Sequence, residues 1–338
     1  MPRIGLIGCG VVADYGHIPA ILSTPGLELV GVCDVNAAKA EATSRKFGIP
    51  HHFADQDRLF ELNLDGVVIS SSAPAHMTNV MGASRYRAHV LCEKPLALSD
   101  TDAEAMIAAV EATGKMLLVG YVYRFSPVAT QIKTWLQDGL IGDPKMLRFV
   151  YLWDLHGQYE RTEDGEWVES PRWRGRMLEG GPMIDCGVHM IDLARWWTGA
   201  EVVSFEAHGA WVSNYAAPDH MFLHLDHERG ISSSVEMSFT YGHTARDPAA
   251  LFSYDVIGDG GAIRYDRDGW RLEARTGSET VRGAGASEKN FPGMYQEFLH
   301  ALESGTPGHF PTGRDGLIAT QIAESATAQA IQKRASLE

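Results

Sequence analysis

The chain has 338 residues, 45% of them hydrophobic, with a formal net charge of −14 at pH 7. That length supports two domains with separate cores, and the acidic balance argues against a nucleic-acid or anionic-membrane partner. No apolar run approaches membrane-spanning length, and Met1-Pro2-Arg3 leads straight into the first apolar segment without room for a signal peptide, so the cytoplasm is the expected location.

The first element is the apolar run Arg3 to Ile7, which reads as a buried parallel strand. It turns at Gly8-Cys9-Gly10 and continues through Val11, Val12 and Ala13 into a helical face, placing G-x-G-x-x-A at a strand-to-helix turn. Gly8 permits the tight turn, Gly10 lets backbone approach a pyrophosphate, and Ala13 allows close helix–strand packing. Free N–H groups at the helix start suit phosphate oxygens. The next strand, Leu29 to Cys33, ends at Asp34, 24 residues after Gly10, close to the offset of a carboxylate that bonds the adenosine ribose. Asp34 favours NAD over NADP, and Arg45 and Lys46 lie too far along the following helix to reverse that preference.

Asn36 caps a helix to Phe47, stopped by Gly48-Ile49-Pro50. Further strands follow at Asp65–Ser70, Ala88–Cys92 and Lys115–Gly120, with a helix from Ser99 or Asp100 to near Gly114. Helices between parallel strands imply a doubly wound sheet, whose ligands bind outside the carboxyl ends of the strands. Ser70-Ser71-Ser72, Glu93-Lys94 and Tyr121 to Arg124 collect at that edge. Lys94 is held between a buried strand and Pro95, a plausible proton-transfer group beside a nicotinamide, and a cis Lys94–Pro95 bond is compatible with the sequence.

A strand is expected at Lys145 to Trp153, then a long polar and aromatic connector from Asp154 to Arg176. Gly180-Gly181-Pro182 opens a helix in which Asp185, His189 and Asp192 recur at i, i+4 and i+7 and share one face. Asp185 can orient the His189 ring for acid–base chemistry near neutral pH. From Glu201 to Arg282 period-two strands alternate with Gly-containing turns. There His220 and His224 share a face that His227 does not, so they read as sheet-surface residues, and no metal site is expected. Helices near Met294–Glu303 and Leu317–Lys333 close the chain, the last capped by Thr312 or Asp315. The four cysteines, Cys9, Cys33, Cys92 and Cys186, form no C-x-x-C pair and read as reduced, buried residues.

The Gly8-x-Gly10 turn, Ser72-Ala73-Pro74-Ala75-His76, Glu93-Lys94-Pro95, Tyr123-Arg124-Phe125 and Asp185-x-Gly187-x-His189 together resemble the glucose-fructose oxidoreductase, inositol dehydrogenase and MocA family over nearly the whole chain. The resemblance implies a Rossmann domain, here residues 1–122, and a C-terminal α/β domain with a large, mostly antiparallel open sheet, here 123–338. It implies an NAD(P)-dependent oxidoreductase acting on CH–OH groups of sugars, sugar derivatives or cyclitols, bound between the domains. Lys94, Asp185 and His189 become the catalytic set. The cofactor set is Gly8, Cys9, Gly10, Val11, Val12, Asp34, Ser71, Ser72, His76, Glu93 and Lys94. Lys94, Arg124, Trp173, Asp185 and His189 would contact substrate, and the open sheet face would pair subunits into a homodimer or homotetramer. Two other readings are an NAD-dependent glycosidase using transient oxidation and a non-catalytic nucleotide- or sugar-binding regulator.

Overall fold

The computed structural model describes residues 1–338 except 154–158, 163, 170–179, 244, 246–248, 287–288 and 337–338. The chain packs as two units, one of Met1–Phe125 with Lys289–Thr320, the other of Ser126–Glu288 with Gln321–Glu338. Chain order alone assigns Lys289–Thr320 to the second half; it packs in the first.

The first unit holds β1 (Arg3–Ile7), β2 (Glu28–Cys33), β3 (His51–Phe53), β4 (Gly66–Ile69), β5 (His89–Cys92) and β6 (Leu117–Val119). They form one parallel sheet in the order β3-β2-β1-β4-β5-β6, the doubly wound arrangement. β3 is an edge strand of three residues that the hydrophobic pattern does not reveal. The helices are α1 (Ile18–Ser23), α2 (Ala37–Phe47), α3 (Gln56–Phe60), α4 (Ala73–Arg85) and α5 (Asp100–Glu111). Side-chain caps start α2 and α5: Asn36 accepts the Lys39 N–H at 3.2 Å, and Ser99 accepts that of Asp102 at 3.2 Å. Gly48, left-handed at φ 67°, ends α2.

Register makes this sheet a site. Ile7 pairs with Cys33 and Ile69, Ile69 with Cys92, and Cys92 with Val119, so these strands end level. The ladder runs one residue further: the N–H groups of Gly8, Ser70, Glu93 and Gly120 each donate at 2.8 Å to Cys33, Ile7, Ile69 and Cys92. Asp34, Gly8, Ser70, Glu93 and Gly120, in that order across the sheet, therefore form one row along the carboxyl edge.

The second unit opens with α6 (Pro127–Gln137) and β7 (Pro144–Leu152). Within the stretch expected to be a connector, β8 (Tyr159–Arg161) pairs antiparallel with β9 (Trp167–Glu169). The Asp164-Gly165 turn between them is a hairpin signal that the sequence reading passed over. After α7 (Val188–Thr198) come β10 (Val202–Ala210), β11 (His220–His227), β12 (Ile231–Ser238), β13 (Leu251–Gly258), β14 (Gly261–Asp266), β15 (Arg271–Thr276) and β16 (Thr280–Ala284). The large sheet has the order β10-β11-β12-β7-β13-β14-β15-β16 and is antiparallel except where β12 meets β7. Side chains alternate strictly along β11: Met221, Leu223, Leu225 and His227 are buried while Phe222 and His224 are exposed. His227 is satisfied inside by the Ser233 hydroxyl at 2.8 Å, which separates it from the other two histidines. α8 (Phe291–Ser304) and α9 (Gly313–Ala335) complete the chain. Thr312 starts α9 reciprocally with Asp315, whose carboxylate accepts both its N–H and its hydroxyl at 2.8 Å. Among the described residues no helix is long and apolar enough to cross a membrane.

Candidate active site

A cavity of about 670 Å³ lies at the carboxyl edge of the parallel sheet, within the range of small-molecule sites. Its walls include Gly8, Gly10, Asp34, Ser70, Ser71 and Ser72. Gly8 has φ 94°, and a side chain there would overlap the backbone of Ser71. A Cβ on Gly10, by contrast, would meet nothing closer than the Ser70 carbonyl oxygen at 4.0 Å, so that glycine leaves open room for a ligand against backbone. Helix begins directly beyond it at Val11 and Val12, where unsatisfied N–H groups favour an anion.

Asp34 is held from both sides. Its Oδ2 accepts the Cys9 N–H at 2.9 Å and its Oδ1 accepts the Asn36 N–H at 2.9 Å. Each carboxylate oxygen keeps a further lone pair, which fits a ribose diol. Burial pushes the Cys9 thiol up to about 11, so it stays protonated and contributes backbone and bulk. Arg45 pairs with Glu41 and Lys46 with Asp14, so both are engaged elsewhere. The cation beside Asp34 is Lys39, 3.5 Å from Oδ2, which sequence reasoning missed although it lies only five residues on. Asn79 was missed as well: it lines the cavity and donates to the Ser71 hydroxyl at 2.8 Å. The open glycine, the acceptor pair and the cavity fit a dinucleotide.

His76 is 1% exposed and is absent from the cavity wall. Its Nδ1 lies 2.9 Å from the Pro95 carbonyl and its Nε2 3.0 Å from that of Ser71, so the ring sits between the serine loop and the turn after β5, and its single N–H in the neutral form donates to one of the two. Burial holds its pKa below the ordinary 6.5, against the pull of those carbonyls. Lys94 is half-buried at the strand end, and its peptide bond to Pro95 is cis. Arg124, 8% exposed, directs its guanidinium to Asp315 at 3.7 Å and to the His309 carbonyl at 3.5 Å.

In the second unit, Asp185 lies in a π-helical turn, Met183–Gly187, that runs into α7, where the sequence predicts a regular helix. Such turns carry one extra residue and recur at functional positions. Asp185 and Asp192 are fully buried and His189 is 4% exposed. A carboxylate pair and an imidazole buried on one short segment carry a desolvation cost that packing alone does not require. Trp173 lies outside the described residues.

An NAD-binding doubly wound domain joined to a large open sheet is the architecture of a class of oxidoreductases. Residues 2–121 match the family described as "Oxidoreductase family, NAD-binding Rossmann fold", and residues 129–264 match the GFO/IDH/MocA C-terminal domain. The chain is 30% identical over 285 residues to a D-apiose dehydrogenase of Paraburkholderia graminis, covering 82% of this chain and 72% of that protein. It is 29% identical over 269 residues to a scyllo-inositol 2-dehydrogenase (NAD(+)) of Bacillus subtilis, covering 77% and 72%. A levoglucosan dehydrogenase solved with NADH and levoglucosan shares the fold at TM-score 0.83 and 20% identity, over 98% of this chain and 97% of that one. The chain belongs to the Gfo/Idh/MocA family of NAD-binding oxidoreductases.

Proposed function

We infer that this oxidoreductase is a dehydrogenase of a sugar, sugar derivative or cyclitol, exchanging a hydride at a hydroxyl-bearing carbon. The observation that carries this reading is the burial of Asp185 and His189 on one segment of a chain that also keeps Lys94 at the end of β5. The names of the apiose and inositol relatives point to the same substrate class.

NAD, when bound, supplies the hydride acceptor. Gly8, Cys9, Gly10, Val11 and Val12 cradle its pyrophosphate with backbone, Asp34 takes the ribose hydroxyls, and Ser71, Ser72 and Glu93 border the remainder. The Asp34 carboxylate repels a further phosphate, which favours NAD over NADP. His189 takes the hydroxyl proton, with Asp185 orienting its ring and stabilising its charged form. Lys94 hydrogen-bonds the reacting oxygen and stabilises charge developing on it. The family motif assigns Arg124 and Trp173 to substrate as well, and Arg124, ion-paired with Asp315, also anchors the turn Tyr123–Phe125. Residues 1–122 form the cofactor domain, joined by the returning segment 289–320, and the rest carries substrate recognition. Apolar residues on the open sheet face, Met146, Phe222 and Ile257, each about half exposed and set among charged side chains, suit a second copy of the chain, and we read the protein as a cytoplasmic homodimer or homotetramer.

Near-ultraviolet absorbance of reduced nicotinamide tests the reading, with NAD or NADP offered alongside a panel of sugars, sugar acids and inositols. A rise with NAD and one substrate group supports it. No rise with any polyol overturns it, and hydrolysis of aryl glycosides without net NAD reduction would replace it with the glycosidase reading.

A further inference from the structure

Behind Glu93 the first unit contains a buried polar chain, two of whose members, His17 and Tyr295, have no part in the chemistry above. His17 ends a π-helical turn, Ala13–His17, just beyond the glycine motif, and is fully buried. Its Nδ1 lies 2.7 Å from the Tyr295 hydroxyl and its Nε2 2.9 Å from Glu93 Oε1. The second oxygen of Glu93 accepts the backbone N–H of Lys94 at 3.2 Å. Tyr295 is fully buried and Glu93 8% exposed. Two rings one turn apart on α8, Phe291 and Tyr295, meet His17 edge-on at centroid distances of 5.1 and 5.9 Å. One imidazole thus joins the turn after β1, the end of β5 and the returning helix α8.

Such a chain is costly to bury unless each member is satisfied. Here each is. Burial, with Glu93 adding to it, pushes the Tyr295 phenol well above its ordinary 10.0, so the hydroxyl keeps its proton and stands hydrogen-bonded to Nδ1. A carboxylate can only accept, so the bond on the other side runs from the Nε2–H to Glu93. Burial raises the Glu93 carboxyl, yet its interactions with His17 and Lys94 outweigh that and hold it below 4.5. Glu93 is therefore ionised, with one oxygen clamped and the other on the Lys94 amide.

We propose that His17 and Tyr295 are positioning residues: they clamp Glu93, and Glu93 fixes the peptide from which the Lys94 side chain departs. This rests on the reading of Lys94 as a group that acts on the reacting oxygen. A displacement of about 1 Å at such a group can cost on the order of a hundredfold in rate. Phenylalanine at 295 would keep the packing and lose the clamp, and leucine at 17 would fill space without an N–H. Glutamine at 17 would restore a donor within reach of Glu93.

The test compares the full-length wild type with Tyr295→Phe, His17→Leu and His17→Gln. The readouts are kcat, KM for the polyol, Kd for NAD, Tm and the hydrogen exchange of the Lys94 amide followed by NMR. We expect kcat to fall roughly tenfold in Tyr295→Phe and further in His17→Leu, with NAD Kd and KM within about twofold. His17→Gln should recover most of the loss, and Lys94 exchange should quicken in the two impaired variants only. Unchanged kcat and unchanged Lys94 exchange in Tyr295→Phe would overturn the clamp. Equal losses in His17→Leu and His17→Gln that follow Tm would overturn it as well. If the wild type turns over no polyol, the dehydrogenase reading fails by itself, and the Lys94 exchange rates still decide the clamp.

Discussion

Asp34 and Cys9 are joined across the carboxyl edge of the parallel sheet: the Asp34 carboxylate accepts the Cys9 amide hydrogen at 2.9 Å. The same bond that shapes the glycine turn thus holds the ribose acceptor. Asp34→Ala should therefore do two things, removing the acceptor and leaving the Cys9 N–H unpaired. A charge-assisted hydrogen bond contributes about 1.5–3 kcal/mol, so NAD affinity should fall on the order of tenfold to a hundredfold. Lys39, released from its neighbour 3.5 Å away, becomes available to a 2′-phosphate, and the preference for NAD over NADP should narrow. Fluorescence titration with both cofactors measures this; an unaltered NAD Kd would refute the assignment.

Gly8 gives a sharper expectation. Its φ of 94° disfavours a side chain, and a Cβ would press into the backbone of Ser71. Gly8→Ala should lose about 1–3 kcal/mol of stability and bind NAD poorly, since the turn and the serine loop must both shift. Chemical denaturation and cofactor titration of one preparation would reveal both effects, and retention of wild-type values in both would contradict them.

The acid–base assignment separates by variant. Loss of a positioned proton-transfer group typically costs a factor of about 10²–10⁴. His189→Asn should lower kcat within that range, and Lys94→Ala, which removes a donor to the reacting oxygen, by about 10²–10³, while Asp34-dependent NAD binding changes little. Asp185→Asn should reduce kcat and shift the pH profile of kcat/KM, because it removes the charge that steadies the His189 ring. Lys94→Ala with wild-type turnover would sink the mechanism.

Much of this molecule was legible in its sequence because its chemistry sits at strand ends. Apolar runs followed by Gly8, Asp34, Ser70 and Glu93 announce both the strands and the edge at which their last residues gather, and the observed register places these residues in one row. Local signals also gave the helix caps at Asn36, Ser99 and Thr312. Other features leave no local signal. A π-helical turn adds one residue to a helix and barely disturbs its periodicity, so Ala13–His17 and Met183–Gly187 read as ordinary helix. β3, three residues long with two exposed histidines, has no buried pattern. The return of Lys289–Thr320 to the first unit is a tertiary fact, and with it the pairing of Tyr295 with His17, 278 residues apart. The sequence motif puts His76 in the cofactor set, whereas the structure buries its ring behind the cavity wall, between the backbone carbonyls of Pro95 and Ser71.

Acid should destabilise the fold in two stages. Burial depresses the folded pKa of His76 below 6.5, and burial depresses His89 and His227 in the same direction. An unfolded chain takes up these protons at a pH where the folded one does not. The unfolded state then binds more protons, so stability falls as pH drops below about 6.5 and levels off below the folded values. Glu93 acts lower on the scale. Burial alone would raise it, but His17 and Lys94 leave its folded value below 4.5, so its contribution is present above 4.5 and is lost as pH falls through that lower folded value. Denaturant unfolding across this range should show a first decline starting near pH 6.5 and a second below 4.5. His76→Asn should lessen the first decline, His89 and His227 keeping their share, without moving the second, whereas Glu93→Gln should lessen the second and leave the first. A free energy of unfolding that stays level from about pH 7 to about pH 5 would show that the buried histidines are not depressed as described.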